Sequence, residues 1–177
     1  YREIVYDGVE VPYVTKYYNN TVVCYSYSKS LSLPGERIGF ILVPDEADDS
    51  KVLYAACAGA GRALGYVCAP SMFQKVIAKC VGNTGDINLY KNRDLLYDEL
   101  TKMGYHCHKP AGAFYMFVEA LEKDSVNFCE KAKEEDLLLV AADGFECPGW
   151  VRISYCVDED MIKRSFKAFK ALKDKYN

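Results

Sequence analysis

"SYSKSLSLPGERIGF", residues 26–40, decides how the rest of the chain is read. One lysine, Lys29, stands among serines; a Pro34-Gly35 turn follows, then Arg37, and from Ile38 the chain turns apolar. Upstream, "NNTVVCYSYS" (19–28) is rich in β-branched and aromatic residues after a polar turn, which predicts a strand ending near Ser28. Downstream, "RIGFILV" (37–43) predicts a second short strand. A lysine at a strand's end, crowded by small hydroxyl residues, is partly desolvated, and desolvation makes its amine available as a nucleophile towards carbonyls. Ser26 and Ser28 lie on one side of an extended chain and can donate hydrogen bonds to an anion. Arg37, fixed after the turn, offers a planar fork suited to phosphate. Amine, hydroxyls and guanidinium together describe a pocket for an aldehyde that carries a phosphate. A solvated loop lysine and arginine is the commoner arrangement, so these residues alone leave both readings open.

Composition narrows the field. The 177 residues are 50% apolar with a net charge of −3, enough for a sizeable core in one medium domain, or one and a part. Acids and bases are interspersed, which argues against a nucleic-acid surface. No apolar run approaches the ~20 residues that span a bilayer, so no membrane partner is expected. The eight cysteines lie scattered with no C-x-x-C, as in Cys24 of "TVVCYSY", Cys57 of "YAACAGA" and Cys156 of "RISYC". They read as reduced, buried thiols of a cytoplasmic protein. "HCH" at 106–108 lacks further ligands around it, and no metal is expected. The chain opens at Tyr1, without an initiator methionine, in what reads as the middle of an element, "YREIVYDG".

Helices and strands alternate along the remainder. Pro44, Asp45, Glu46, Asp48 and Asp49 predict a helix start with acids in its first turn, continuing through "SKVLYAACAGAGRAL" (50–64). The "GAGRALG" within it follows helix rather than strand, so its glycines read as close helix packing and not as a nucleotide loop. "APSMFQKVIAKCVG" (69–82) is a helix, and "DINLYKNRDLLYDELTKMG" (86–104) another, with Leu89, Leu96 and Leu100 on one face and Gly104 as its stop. "YHCHKPAGAFYMFVEA" (105–120) reads as strand, turn, strand; "DSVNFCEKAKEEDL" (124–137) as helix; "LLLVAADGF" (137–145) and "GWVRISYC" (149–156) as strands. "DEDMIKRSFKAFKALKDKY" (158–176) is an amphipathic helix, acidic first and basic last, as the macrodipole favours. A soft boundary falls between 60 and 85. Two or three strands before it would leave sheet edges open and look like pieces of a larger sheet, whereas the elements after it can close on themselves.

Residues 26–39 resemble the pyridoxal-phosphate attachment signature of the class I/II aminotransferases. That signature has a small residue, an apolar or aromatic one, a small one, Lys, and a gap ending in Gly-x-Arg-apolar-Gly; Ser26-Tyr27-Ser28-Lys29 and Gly35-Glu36-Arg37-Ile38-Gly39 fit at every constrained position. Downstream, "PAGAFYMF" (110–117) resembles the strand turn entering the small domain's active-site face, and "GWVRISYC" the segment with the arginine that grips the substrate carboxylate. The resemblance implies an α/β chain of fold type I: a remnant of the large-domain mixed sheet over residues 1–70 and a complete small α/β domain over 71–177. It implies that Lys29 holds the cofactor, pyridoxal 5'-phosphate, as an aldimine and then moves the substrate Cα proton. Arg37 and Ser26 would hold the phosphate, with Ser28 as a second hydroxyl. Tyr1 would bond the cofactor's ring oxygen, and Arg152 would clamp the substrate carboxylate.

Tyr1 matches the tyrosine of the family's Asp-x-x-Tyr segment, so an aspartate for the pyridine nitrogen is expected three residues upstream. On that expectation the chain is the C-terminal part of an amino-acid aminotransferase of the aspartate-aminotransferase-like kind, a cytoplasmic homodimer when complete and inactive as a fragment. Its partners would be an amino acid and a 2-oxo acid. A carbon–sulfur lyase or another fold type I enzyme uses the same scaffold. A noncatalytic subdomain is the reading from another class.

Overall fold

Ser26 ends the first strand, β1 (Val23–Ser26), and opens a single helical turn, α1 (Tyr27–Ser30), that carries Lys29. In this computed structural model, which describes residues 1–83 and 89–176, the strand therefore stops short of the Ser28 expected from its composition. The reason is local. Ser26 keeps extended angles (φ −130°, ψ 135°) and its hydroxyl accepts a hydrogen bond from the Ser28 amide, which caps the turn. β2 (Gly39–Leu42) pairs antiparallel with β1, setting Val23 opposite Leu42 and Ser26 opposite Gly39. All of β2 is exposed, Phe40, Ile41 and Leu42 included, and among the described residues its sheet has no strand beyond β1 and β2.

The acidic run before the next helix corrects a second expectation. α2 (Ser50–Ala63) begins only after Asp49, which sits in the left-handed region (φ 52°) and gives no side-chain cap. Residues 44–49 form turns instead of the helix's first turn, because Pro44 and the αL residue interrupt helical hydrogen bonding. None of α2's residues is buried. A Cβ on Gly61 would come within 3.2 Å of the Tyr66 carbonyl oxygen, whereas one on Gly59 meets nothing within 4 Å, so only the first of these glycines serves a close approach. α3 (Ser71–Cys80) follows.

The chain divides into two compact units, Tyr1–Asp86 and Ile87–Asn177. α3, placed with the small domain by the sequence boundary at 70/71, belongs to the first unit by this division. The 86–88 start of the following predicted helix lies outside the described residues; from Leu89 that helix is α4 (Leu89–Lys102). Leu89, Leu96 and Leu100 are buried along it, as their spacing requires, and Gly104 (φ 84°) takes the left-handed stop.

In the second unit β3 (Cys107–His108), β4 (Tyr115–Glu119), β5 (Val140–Ala141) and β6 (Trp150–Ser154) form one antiparallel sheet in the order β3-β4-β6-β5. α5 (Ser125–Lys133) and α6 (Glu159–Asp174) are capped by Asp124 and Asp158, whose carboxylates accept backbone amide bonds. The core gathers between sheet and helices: Leu100, Met116, Val118, Phe128, Val151, Tyr155 and Leu172 are at most 1% exposed. Polar ties lock it. Asn92 on α4 donates to the carbonyls of Tyr155 and Val157 at 3.0 and 2.8 Å, and the buried Tyr105 hydroxyl donates to the Phe169 carbonyl at 2.8 Å. "LLLVAADGF" yields only the two-residue β5, because the chain turns into a 3₁₀ segment at Ala142–Phe145.

The cysteines correct a further expectation. All eight are free, but Cys24, Cys68 and Cys156 are exposed and Cys57 is half-buried; Cys129 alone among them is buried. Cys24 takes an exposed position in the alternation of β1, Cys57 lies on α2, which buries no residue, and Cys68 and Cys156 lie outside any helix or strand. Among the described residues no group of three or more His, Cys, Asp or Glu converges as a metal site, and no helix is long and apolar enough to cross a membrane.

Candidate active site

Tyr1, Ser26, Ser28, Lys29 and Arg37 line one cleft of about 490 Å³ in the first unit, together with Arg2, Cys24, Tyr25 and Pro34. Three local devices bring them there. The Ser26 cap starts α1 and points Lys29 back over the N-terminal segment, where its Nζ lies 5.8 Å from the centroid of the Tyr1 ring. Pairing of β1 with β2 returns the chain, so residues either side of the Pro34-Gly35 turn face one another; the Tyr27 amide donates to the Ile38 carbonyl at 3.1 Å. Arg37 adopts φ 52°, which swings its side chain back until Nη1 donates to the Pro34 carbonyl at 2.8 Å.

The hydroxyls form a small relay. Ser26 Oγ donates to Ser28 Oγ at 2.9 Å while accepting the Ser28 amide at 3.2 Å. Rotation of either hydroxyl turns a donor towards an anion in the cleft. Behind them lies an aromatic wall that the sequence reading did not single out. Tyr25 stacks on Phe40 (5.1 Å between centroids, 16° between planes) and meets Tyr27 edge-on at 5.1 Å. The Tyr25 hydroxyl donates to the buried Ser30 hydroxyl at 2.9 Å, and burial pushes the Tyr25 phenol's pKa up. The i, i+2 spacing of Tyr25 and Tyr27 was the sequence signal available for it; the pairing of Tyr25 with Phe40 is set by the strand register.

The donor set is one of opposites to a phosphorylated aldehyde. A primary amine meets a carbonyl, while two hydroxyls and a guanidinium meet phosphate; a phenol completes the rim. Pyridoxal 5'-phosphate carries both an aldehyde and a phosphate, so the residues present fit it.

Arg152 belongs to the second unit. It stands in β6 opposite Phe117 of β4 and Val140 of β5, half-buried. Its guanidinium carbon lies 4.3 Å from the centroid of the Tyr115 ring and 4.3 Å from that of Phe145. Period-2 alternation places Tyr115 and Phe117 on one face of β4, but Phe145 ends the 3₁₀ segment, where no periodic pattern announces it.

Comparison with known proteins gives this arrangement a lineage. The family described as aminotransferase class I and II matches residues 1–169. A curated relative, a probable N-acetyl-LL-diaminopimelate aminotransferase of Bacillus subtilis, is 32% identical over 92% of this chain and 42% of its own length. The aspartate aminotransferase of Thermotoga maritima is 28% identical over 93% of this chain, again with 42% of that protein covered. The chain thus spans less than half the length of these relatives. Among solved structures, an aminotransferase from Eubacterium rectale superposes with a TM-score of 0.97 at 74% identity, covering 100% of this chain and 45% of that one. An aspartate aminotransferase variant from Thermus thermophilus shares the fold at 22% identity and a TM-score of 0.85. The chain belongs to the class I and II aminotransferase family, and its fold is the α/β fold type I of those enzymes.

Proposed function

We propose that this chain is the C-terminal part of a pyridoxal-phosphate-dependent amino-acid aminotransferase, which moves an amino group from an amino acid to a 2-oxo acid. The observation carrying the reading is the convergence of Tyr1, Ser26, Ser28, Lys29 and Arg37 on one cleft. When bound, the cofactor supplies an electron sink for the Cα bond that breaks. Lys29 Nζ would hold the cofactor and would serve as the base for the substrate Cα proton. Ser26, Ser28 and the Arg37 fork would hold its phosphate, and the Tyr1 phenol would bond its ring oxygen. Arg152 grips the substrate carboxylate through paired N–H groups and so orients the Cα bond to be broken. The whole protein is proposed to be a cytoplasmic homodimer, with the isolated chain inactive.

The test is an assay of full-length protein with a panel of amino donors and 2-oxoglutarate. Formation of glutamate together with the donor's 2-oxo acid is the expected result. Release of pyruvate and ammonia from cysteine-type substrates, without glutamate, would replace transfer by carbon–sulfur lysis. Lys29→Ala should abolish turnover, a loss of at least ~10²-fold as expected for removal of a proton-transfer group, with an unchanged circular dichroism spectrum. Wild-type activity in that variant would overturn the assignment.

A further inference from the structure

Two aromatic rings of the second unit, Tyr115 and Phe145, stand against the Arg152 guanidinium, each 4.3 Å from its carbon. Tyr115 opens β4 and reaches the guanidinium from a diagonal position in the sheet, since its own cross-strand partner is Ser154 while Arg152 pairs with Phe117. Phe145 approaches from the 3₁₀ segment, also at 4.3 Å, and is braced edge-on by Phe117 (6.4 Å, 89°). Tyr115 is in turn packed against the buried Phe114 at 4.7 Å. The chain thus spends two aromatic side chains from separate elements on one cation.

We infer that Tyr115 and Phe145 are positioning residues for carboxylate recognition by Arg152. This rests on the proposed role of Arg152 and deepens it. A guanidinium carries its five N–H donors in its plane, whereas its faces are weakly hydrated and pack well on aromatic rings. Packing against two rings removes rotamers in which the long side chain wanders and keeps its N–H donors available to a carboxylate. A carboxylate arriving at those donors is bound by two parallel N–H bonds, without first having to immobilise the arginine. An ammonium has no plane to clamp, so the site is built for arginine and not for any cation.

The experiment measures calorimetrically the dissociation constant of 2-aminoisobutyrate, an amino acid without a Cα hydrogen, on full-length holoprotein. Tyr115→Leu and Phe145→Leu should each weaken it by about 3- to 30-fold, the range of a lost cation–π contact. Tyr115→Phe should restore binding to within about twofold, because the ring and not the hydroxyl faces the arginine. Phe145 is 46% exposed, so Phe145→Leu tests the clamp without emptying the core. A second readout needs no ligand: the Arg152 Nε–H resonance should be displaced by ring currents in wild-type protein and lose part of that displacement in Phe145→Leu. If Arg152→Lys weakens binding while both leucine variants bind as wild type, the clamp is overturned and the role of Arg152 survives. If Arg152→Lys binds as wild type, or wild type shows no saturable binding, the role of Arg152 itself falls and the clamp with it.

Discussion

At Gly39 the two strands of the first unit approach so closely that an added Cβ would stand 2.3 Å from the Tyr25 carbonyl oxygen and 3.2 Å from the Ser26 Cα. The obstacle is backbone, which cannot rotate away, so the last glycine of the attachment signature serves strand packing beneath the serine pair. Gly39→Ala should destabilise full-length protein by about 1–3 kcal/mol, the scale of forced backbone shifts, and also loosen cofactor retention because Ser26 is directly opposite. Thermal unfolding and the cofactor content of the purified protein check both parts. Arg37 shows the reverse balance. Its φ of 52° costs about 1–2 kcal/mol for a residue with a Cβ, and glycine would remove that cost. Arg37→Gly is therefore expected to leave stability equal or higher while weakening phosphate binding by tenfold or more, since the charge-assisted fork is gone. An unfolding midpoint that falls together with affinity would show that the arginine's role is structural.

At the scale of elements, the strands and helices legible from sequence were those with enough length for a period to repeat. α4 and α6 announced themselves through leucines or charges spaced over several turns. α1 did not, because four residues are too few for periodicity and a single serine cap decided their conformation. β5 shrank for a similar reason, its apolar run having been drawn into the 3₁₀ segment. Side-chain identity at the first cleft was readable through the signature, whereas the Tyr115–Arg152–Phe145 stack depends on a register and a turn that no local pattern encodes. α5 offers an electrostatic test. Glu122 just before it accepts bonds from Lys131 (2.8 Å), Tyr176 (3.0 Å) and Asn127 (3.0 Å). The Lys131 bond, with lesser help from Tyr176 and Asn127, holds the Glu122 carboxyl below its ordinary 4.5. A depressed folded pKa means the stabilisation is fully present above that ordinary value and is lost as pH falls through the folded one. Solvent screening at this exposed pair keeps the stabilisation small. Glu122→Gln should lower the unfolding midpoint at pH 7, and the gap from wild type should close as acidification passes below 4.5.

Across the whole molecule the two units differ in how much apolar surface each removes from water. In the first, burial is confined to Ile4, Tyr6, Ile38, Ala47 and Ile77 among the hydrophobic side chains described. The second buries residues from every helix and from β4 and β6, among them Leu96, Leu100, Phe128, Ile162, Phe169 and Leu172. A two-stranded ribbon is marginal in water by itself, and here one strand exposes Phe40, Ile41 and Leu42. At ~25 cal/mol per Å² of apolar area, a few buried side chains offset little of the ordering entropy of such a unit, which costs on the order of 1–2 kcal/mol per residue. The isolated chain should accordingly unfold in two steps. Amides of α4, β4, β6 and α6 are expected to exchange at least ~100-fold more slowly than those of β1, β2 and α2, a difference of about 2.7 kcal/mol in local opening. Hydrogen exchange followed by mass spectrometry resolves the two. Equal protection across both units would mean that the first finds burial beyond its own side chains, for instance by pairing its exposed strand with another copy. Dilution would test that pairing, since protection borrowed from a second copy falls with concentration.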